Sequence, residues 1–225
     1  EDEIQKLFSR ARVHRADSDT TKKRDDYNEL YKKLKSHEID ILIGTQMIAK
    51  GLDLPKVQLI GVMLADTSLN FPDFRAAERT FQLLTQVAGR SGRRGTQGEV
   101  IIQSYMPDNY AIEAARTHDY HAFYKTEIKV REDVRYPPFS KIIVLHYTQK
   151  SEMKCKKDVV QMENRLAAQV EKLNLPTHIV STPAPIPKTA RGFHYQIILR
   201  GAAPEKILQP LLPLEEEWKI DVDPL

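Results

Sequence analysis

The chain has 225 residues, enough for one large or two ordinary domains, and its 41% hydrophobic content suits a globular protein. Its one cysteine, Cys155, excludes an internal disulfide and a multi-cysteine metal site within this sequence, and no apolar run approaches the ~20 residues needed to cross a bilayer. The net charge of +3 is mild but clustered, at Lys22-Lys23-Arg24, Arg90 to Arg94 and Lys154 to Lys157, which permits nucleic-acid binding without requiring it.

The start, Glu-Asp-Glu-Ile, has no signal-peptide pattern, so a reducing, cytoplasmic setting is expected. Ile4, Leu7 and Phe8 lie on one side of a short helix, and Arg12–Ala16 reads as a strand. Asp17–Thr21 supplies loop and cap residues. Tyr27, Leu30, Tyr31 and Leu34 are spaced i, i+3, i+4, i+7, the signature of a one-faced helix. Ile39–Ile43 reads as a buried parallel strand and Val57–Leu64 as a central one. Asp66–Asp73 reads as a polar loop. A helix follows through Ala77, Phe81 and Leu84, and then a strand over Glu99–Gln103. This alternation predicts a doubly wound parallel α/β sheet of the RecA-like kind over residues 1–106.

A helical pair follows, Asp108–Arg116 capped by Asp108 or Asn109 and a second helix whose apolar face is Tyr120, Phe123, Tyr124 and Ile128. It is expected to link two domains over residues 107–138. Residues 139–225 read as βαββαβ. Ser140–Tyr147, Thr177–Ser181, Phe193–Leu199 and Trp218–Val222 are the strands, and Ser151–Leu173 and Pro204–Glu217 the helices, with Leu208, Leu211 and Leu212 inward. Thr182–Gly192 is a Pro-rich connection. The order predicts a ferredoxin-like α+β domain.

Two stretches carry chemistry. The first, Gly44-Thr-Gln-Met-Ile-Ala-Lys-Gly-Leu-Asp-Leu-Pro55, follows a strand and so lies at the carboxyl edge of a sheet, where open α/β folds bind ligands. Thr45 offers a hydroxyl to a phosphate and Gly51 permits close approach. Asp53, acceptor-only when ionised, can hold an arginine or a ribose hydroxyl. The second, Thr85-Gln-Val-Ala-Gly-Arg-Ser-Gly-Arg-Arg94, has the spacing Q-x-x-G-R-x-x-R through Gln86, Gly89, Arg90 and Arg93. On a helical turn Arg90 and Arg93 project from one face, and paired guanidiniums suit the charge on a transferring phosphoryl group.

Together these stretches resemble motifs V and VI of superfamily 2 helicases. Asp40–Gly51, Pro72-Asp-Phe-Arg-Ala-Ala-Glu-Arg through Arg90, Gly98–Gln103, Tyr136-Pro-Pro-Phe139 and Asp221-Val-Asp-Pro224 extend the likeness. The sequence resembles the C-terminal portion of the primosomal protein N′ (PriA) family of bacterial replication-restart DNA helicases. That resemblance implies a 3′ to 5′ DNA helicase driven by ATP and Mg²⁺. In it Arg90 and Arg93 supply the arginine finger, and Gln86, Gly89, Gly51 and Asp53 lie around ATP. Gly44, Thr45, Gln46 and Lys50 lie along DNA. It also implies zinc-binding cysteines outside this sequence, and as partners single-stranded and forked DNA, single-stranded DNA-binding protein and primosome proteins.

The sequence departs from the family pattern at Leu52 and Leu54, where His and Phe are usual, at Leu64-Ala65-Asp66, where Asp-Ala-Asp is usual, and at Ser91, where Ala is usual. It contains no G-x-x-x-x-G-K-[ST], so the chain alone is expected to be inactive as an ATPase. In the C-terminal part, Lys188 and Arg191 beside Phe193, His194 and Tyr195 suit single-strand or fork binding. The competing reading puts Tyr195, Ile197 and Leu199 on a core face and leaves Lys188 and Arg191 solvated. Two other functions fit the same residues less well, a non-catalytic DNA- or protein-binding module and the second lobe of another superfamily 2 helicase.

Overall fold

The computed structural model describes residues 1–16, 24–45, 57–89 and 98–224. The expected loop at Asp17–Thr21 and the stretches from Gln46 to Pro55 and from Arg90 to Arg94 lie outside the described residues. The chain falls into two compact units, Glu1–Thr126 and Glu127–Leu225.

In the first unit, α1 (Asp2–Leu7) leads into β1 (Val13–Ala16), α2 (Arg24–Lys35) and β2 (Ile41–Gly44). The expected apolar side of α1 stays in water, with Leu7 and Phe8 exposed. β1 and β2 pair in parallel, from Val13 opposite Ile41 to Ala16 opposite Gly44. An ion pair starts the register. Asp40 accepts from Arg12 N at 2.8 Å, from Nε at 2.9 Å and from Nη2 at 2.7 Å. These bonds hold its carboxyl well below the usual carboxylate range. Leu30 of α2 packs with Ala16, and Tyr31, Leu34, Ile39 and Leu42 close around them, as the helical spacing predicts.

β3 (Leu59–Val62) pairs in parallel with β4 (Glu99–Ile102). This corrects the expected central strand. Among the described residues β3 has only β4 beside it, and Leu59 and Ile101 are more than half exposed on the same face. The strands therefore form two parallel pairs rather than one described sheet. The expected loop at Asp66–Asp73 begins with a helical turn, α3 (Asp66–Leu69), and α4 (Ala76–Ala88) follows. Asp73 fixes the entry to α4, accepting from Arg75 N at 2.9 Å and pairing with Arg79 at 2.7 Å.

α5 (Tyr110–Arg116) starts where Asn109 Oδ1 accepts from Ala111 N, one of the two caps that the sequence offered. α6 (Tyr120–Asp133) comes next. The pair expected to link two domains shares the first unit's core as far as Phe123, and the division between the units, Thr126 to Glu127, falls within α6. Ala111, Ile112, Ala114, Ala115 and Phe123 share one core with Ala65, Phe81 and Leu84. The rings of Tyr120 and Tyr124, expected inward, are exposed, and their place beside Phe123 is taken by buried Glu127. A charge there is tolerable because Arg131 Nε donates to Glu127 Oε1 at 2.7 Å, one helical turn on.

The second unit is a four-stranded antiparallel sheet, β6-β7-β5-β8, comprising β5 (Lys141–Gln149), β6 (Thr177–Thr189), β7 (Gly192–Gly201) and β8 (Trp218–Val222). One face is covered by α7 (Glu152–Leu173) and α8 (Pro204–Leu208). β5 does not alternate as expected. As an inner strand it buries Ile142, Ile143, Val144 and Leu145 in succession. Cys155, Val159, Met162 and Leu166 of α7 face Leu145, Ile197 and Leu199. Asn174 ends α7 in the left-handed region, at φ 48°.

Two expected boundaries move, both because of proline. The Pro-rich connection is mostly strand: β6 runs on to Thr189 with a register irregularity between Pro183 and Lys188. Prolines lack the N–H that an inner strand needs, and β6 is an edge strand. The last helix stops at Leu208 and a 3₁₀ turn at Gln209–Leu211, where Pro210 and Pro213 cannot continue it, so Leu212 is half exposed.

Tyr147 donates to Asp158 Oδ2 at 2.5 Å and stacks on Trp218 at 4.5 Å. Burial first, and then Asp158, pushes the phenol up to about 12 from an ordinary 10.0. The protonated donor is the form that folding favours, so its contribution is complete below pH 10 and is lost as pH rises toward about 12. Denaturant melts of the second unit against pH are expected to lose stability over that interval, and Tyr147→Phe to flatten that part of the profile.

Candidate functional site

α4 is the element that presents the Arg-rich stretch. Its inner face is Ala76, Thr80, Phe81, Leu84 and Val87, all buried. Thr80 satisfies its hydroxyl by donating to Ala76 O at 2.8 Å. Phe81 stacks on Phe123 with centroids 4.3 Å apart and planes at 8°. In the last turn of the helix Gln86 and Gly89, three apart, are both exposed. Gly89 is the C-terminal cap, with N donating to Thr85 O at 3.0 Å. Its φ of −67° suits any residue, and an added Cβ would meet only Thr85 O at 3.5 Å and Gln86 O at 3.7 Å. The local fold thus does not require glycine at position 89. Arg90 and Arg93, next in sequence, lie outside the described residues.

The other stretch begins at the carboxyl end of β2. Gly44 closes the parallel register opposite Ala16, and Thr45 follows it, exposed. Gln46, Lys50, Gly51 and Asp53 are beyond the described residues. Gln86 and Gly89 on α4, and Gly44 and Thr45 on β2, therefore sit in one unit, each at the solvent end of an anchored element.

Sequence reading placed Asp66 in a polar loop and gave it no role. This buried carboxylate accepts from Ser104 Oγ at 2.6 Å, Tyr105 N at 2.9 Å and Met106 N at 3.1 Å. The Ser104 hydroxyl, then the Tyr105 N–H, holds its carboxyl below the usual range. It ties the chain after β3 to the chain after β4, next to Gln103 O accepting from Ala65 N at 3.0 Å. An acidic residue two positions after a predicted strand, with a serine directly after the next, was the available signal.

In the second unit, Lys188 and Arg191 are exposed at the end of the β6–β7 hairpin. The hairpin end is fixed. Gly192 has φ +132°, and a Cβ there would lie 2.6 Å from Gln149 O, so no other residue fits. His194 bridges Thr148 Oγ1 at 2.9 Å and Thr189 Oγ1 at 2.7 Å. Phe193 and Tyr195 pack against the core beside buried Ile197 and Leu199, and the Lys188 ammonium stands 5.0 Å from the Phe193 ring. The cations are available there and the aromatic rings are largely occupied. Cys155 donates to Phe193 O at 3.7 Å, and burial raises its thiol, which leaves it a poor nucleophile. Among the described residues no group of His, Cys, Asp and Glu could hold a metal ion, and no helix is long and apolar enough to cross a membrane.

Two family models match the chain. Residues 1–95 match the helicase conserved C-terminal domain, and residues 132–225 match the primosomal protein N C-terminal domain. The chain is similar to replication restart protein PriA of Bacillus subtilis, 38% identical over 224 residues that cover 99% of this chain and 28% of that protein. It is 39% identical to PriA of a Synechocystis strain over 97% of this chain and 27% of the relative. For Chlamydia pneumoniae PriA the figures are 40%, 99% and 30%. The chain thus spans less than a third of the length of these curated relatives. With a mixed α/β first unit under the helicase model and a separate sheet under the primosomal one, the chain belongs to the PriA replication restart family and corresponds to the C-terminal part of its members.

Proposed function

We propose that the chain supplies the second RecA-like lobe and the C-terminal domain of an ATP-dependent DNA helicase. The whole protein moves 3′ to 5′ on single-stranded DNA and restarts replication at stalled forks by primosome assembly. The observation that carries this reading is α4. A helix anchored by Phe81, Leu84 and Val87 turns Gln86 and Gly89 to solvent and hands the chain directly to Arg90 and Arg93. Gly89, which local packing does not require, leaves the approach open to a phosphate. In this reading the guanidiniums meet the γ-phosphate of ATP, with Gln86, Gly51 and Asp53 around the nucleotide. Gly44, Thr45, Gln46 and Lys50 meet the DNA strand beyond β2. ATP and Mg²⁺ are held mainly by a first lobe outside this sequence, and the family's zinc-binding cysteines likewise lie outside it.

The second unit's strand order, in its own chain order second, third, first, fourth, supports reading it as ferredoxin-like. Its exposed Lys188 and Arg191 are the residues assigned to DNA. Single-stranded DNA-binding protein and primosome proteins are the protein partners, in a bacterial cytoplasm.

An ATPase of this class needs phosphates cradled by one lobe and an arginine from the other. The 225-residue chain alone is therefore expected to show no ATP turnover above a no-enzyme control. Turnover by the pure chain that disappears in Arg93→Ala would overturn the proposal.

A further inference from the structure

Five aromatic rings run in a line from the interior of the first unit to its surface. Tyr110 stacks on Phe123 at 6.0 Å, Phe123 on Phe81 at 4.3 Å, Phe81 lies 6.2 Å from Tyr120, and Tyr120 stacks on Tyr124 at 6.1 Å with planes at 27°. Phe81 and Phe123 are core residues, whereas Tyr120 is 58% and Tyr124 51% exposed. The outer two rings are one helical turn apart on α6 and share a stripe of its surface. They are held by the inner rings rather than left to rotate freely, yet much of their apolar area stays in water. Paired tyrosines with an apolar body and a wet hydroxyl end suit an interaction site.

The flanking groups say what would cover it. The His121 ring sits edge-on to Tyr120 at 6.1 Å, and Lys125, four residues after His121, is exposed on the same side. The neighbouring Asp119 carboxylate is engaged at the helix start, accepting from Ala122 N at 2.9 Å. An aliphatic protein surface would use the rings but has no need of the Lys125 ammonium. A polyanion with flat apolar faces uses both, and in a duplex those faces are already stacked on one another.

We infer that Tyr120 and Tyr124 form a stacking platform for unpaired nucleic-acid bases, with Lys125 and His121 beside the phosphates. This rests on the DNA-helicase reading and adds to it a contact on α6, apart from the β2 loop and from Lys188 and Arg191. It also supplies the stacking groups that Phe193 and Tyr195, packed on their own core, do not.

Fluorescence anisotropy of a labelled oligothymidylate on the 225-residue chain tests it. Tyr124 is the position to change, since it is the outermost ring and Tyr120 also contacts core Phe81. Tyr124→Ala is expected to weaken binding ~5- to ~150-fold, the range for one stacked base, with its thermal unfolding unchanged. Tyr124→Phe keeps the affinity, and binding of a blunt duplex stays the same in both variants. Unchanged oligothymidylate affinity in Tyr124→Ala, together with a loss in the Lys188→Ala, Arg191→Ala double variant, would overturn the platform and leave the DNA-helicase reading standing. Equal weakening for single strand and duplex would also overturn it. No binding by the unsubstituted chain at low salt would remove the platform and the DNA contacts of this chain together.

Discussion

Alanine at Arg93, in a polypeptide of the relatives' full length, is expected to lower DNA-stimulated ATP turnover by ~10³- to ~10⁵-fold, the worth of an arginine finger. The reason is electrostatic. In the transition state charge spreads over the equatorial oxygens of the γ-phosphoryl group, and a guanidinium placed there stabilises it more than it stabilises bound ATP. Single-strand affinity should stay near that of the unsubstituted protein, because in this reading the strand is held by the loop after β2 and by groups elsewhere. A parallel measurement of turnover number and of oligonucleotide affinity checks both halves. Normal turnover would refute the assignment of Arg93; lost DNA affinity with normal turnover per bound strand would move that arginine to the nucleic acid.

The second large effect is on stability. Phe81→Ala removes the ring at the centre of the first unit's main core, between Phe123 on α6 and the α5 alanines. Truncating a buried Phe costs about 3–5 kcal/mol, from lost transfer energy and the cavity left behind. The first unit should unfold at much lower denaturant than the second, turning one transition into two, and circular dichroism against denaturant would show the split. In a polypeptide of the relatives' full length, ATP turnover is expected to fall in step, since the same helix carries Gln86 and leads into Gly89. If Phe81→Ala left the melt unchanged, the packing of α4 on α5 and α6 would be wrong.

How much of this was legible beforehand depended on the period of the pattern and on what prolines do. α2, α4 and α7 were readable because their apolar residues recur at helical spacing and a neighbouring element covers that face. The Asn109 cap was readable because its chemistry is local. α6 was readable as a helix but its inward face was not, since Tyr120 and Tyr124 carry the same apolar signal as Phe123. Only the partners decide which ring goes inward, and buried Glu127 with Arg131 takes a position that no hydrophobic count would assign. β3 was overrated because its apolar run was taken as central, whereas described neighbours cover one side. At the candidate site the residue types and spacing single out Gln86, Gly89, Gly44 and Thr45, and the structure adds that all four are exposed. Asp66 escaped because its partners are a hydroxyl and two backbone N–H groups far along the chain, which leave no local pattern.

The three prolines of β6, Pro183, Pro185 and Pro187, have a consequence for assembly. They leave no N–H for a foreign strand over that half of one rim of the second unit's sheet, while Thr177–Thr182 carries no proline. The opposite rim, Trp218–Val222, carries none either. Edge-to-edge growth of this sheet is therefore expected to use Thr177–Thr182 or Trp218–Val222, and a single proline placed in the latter would weaken that border.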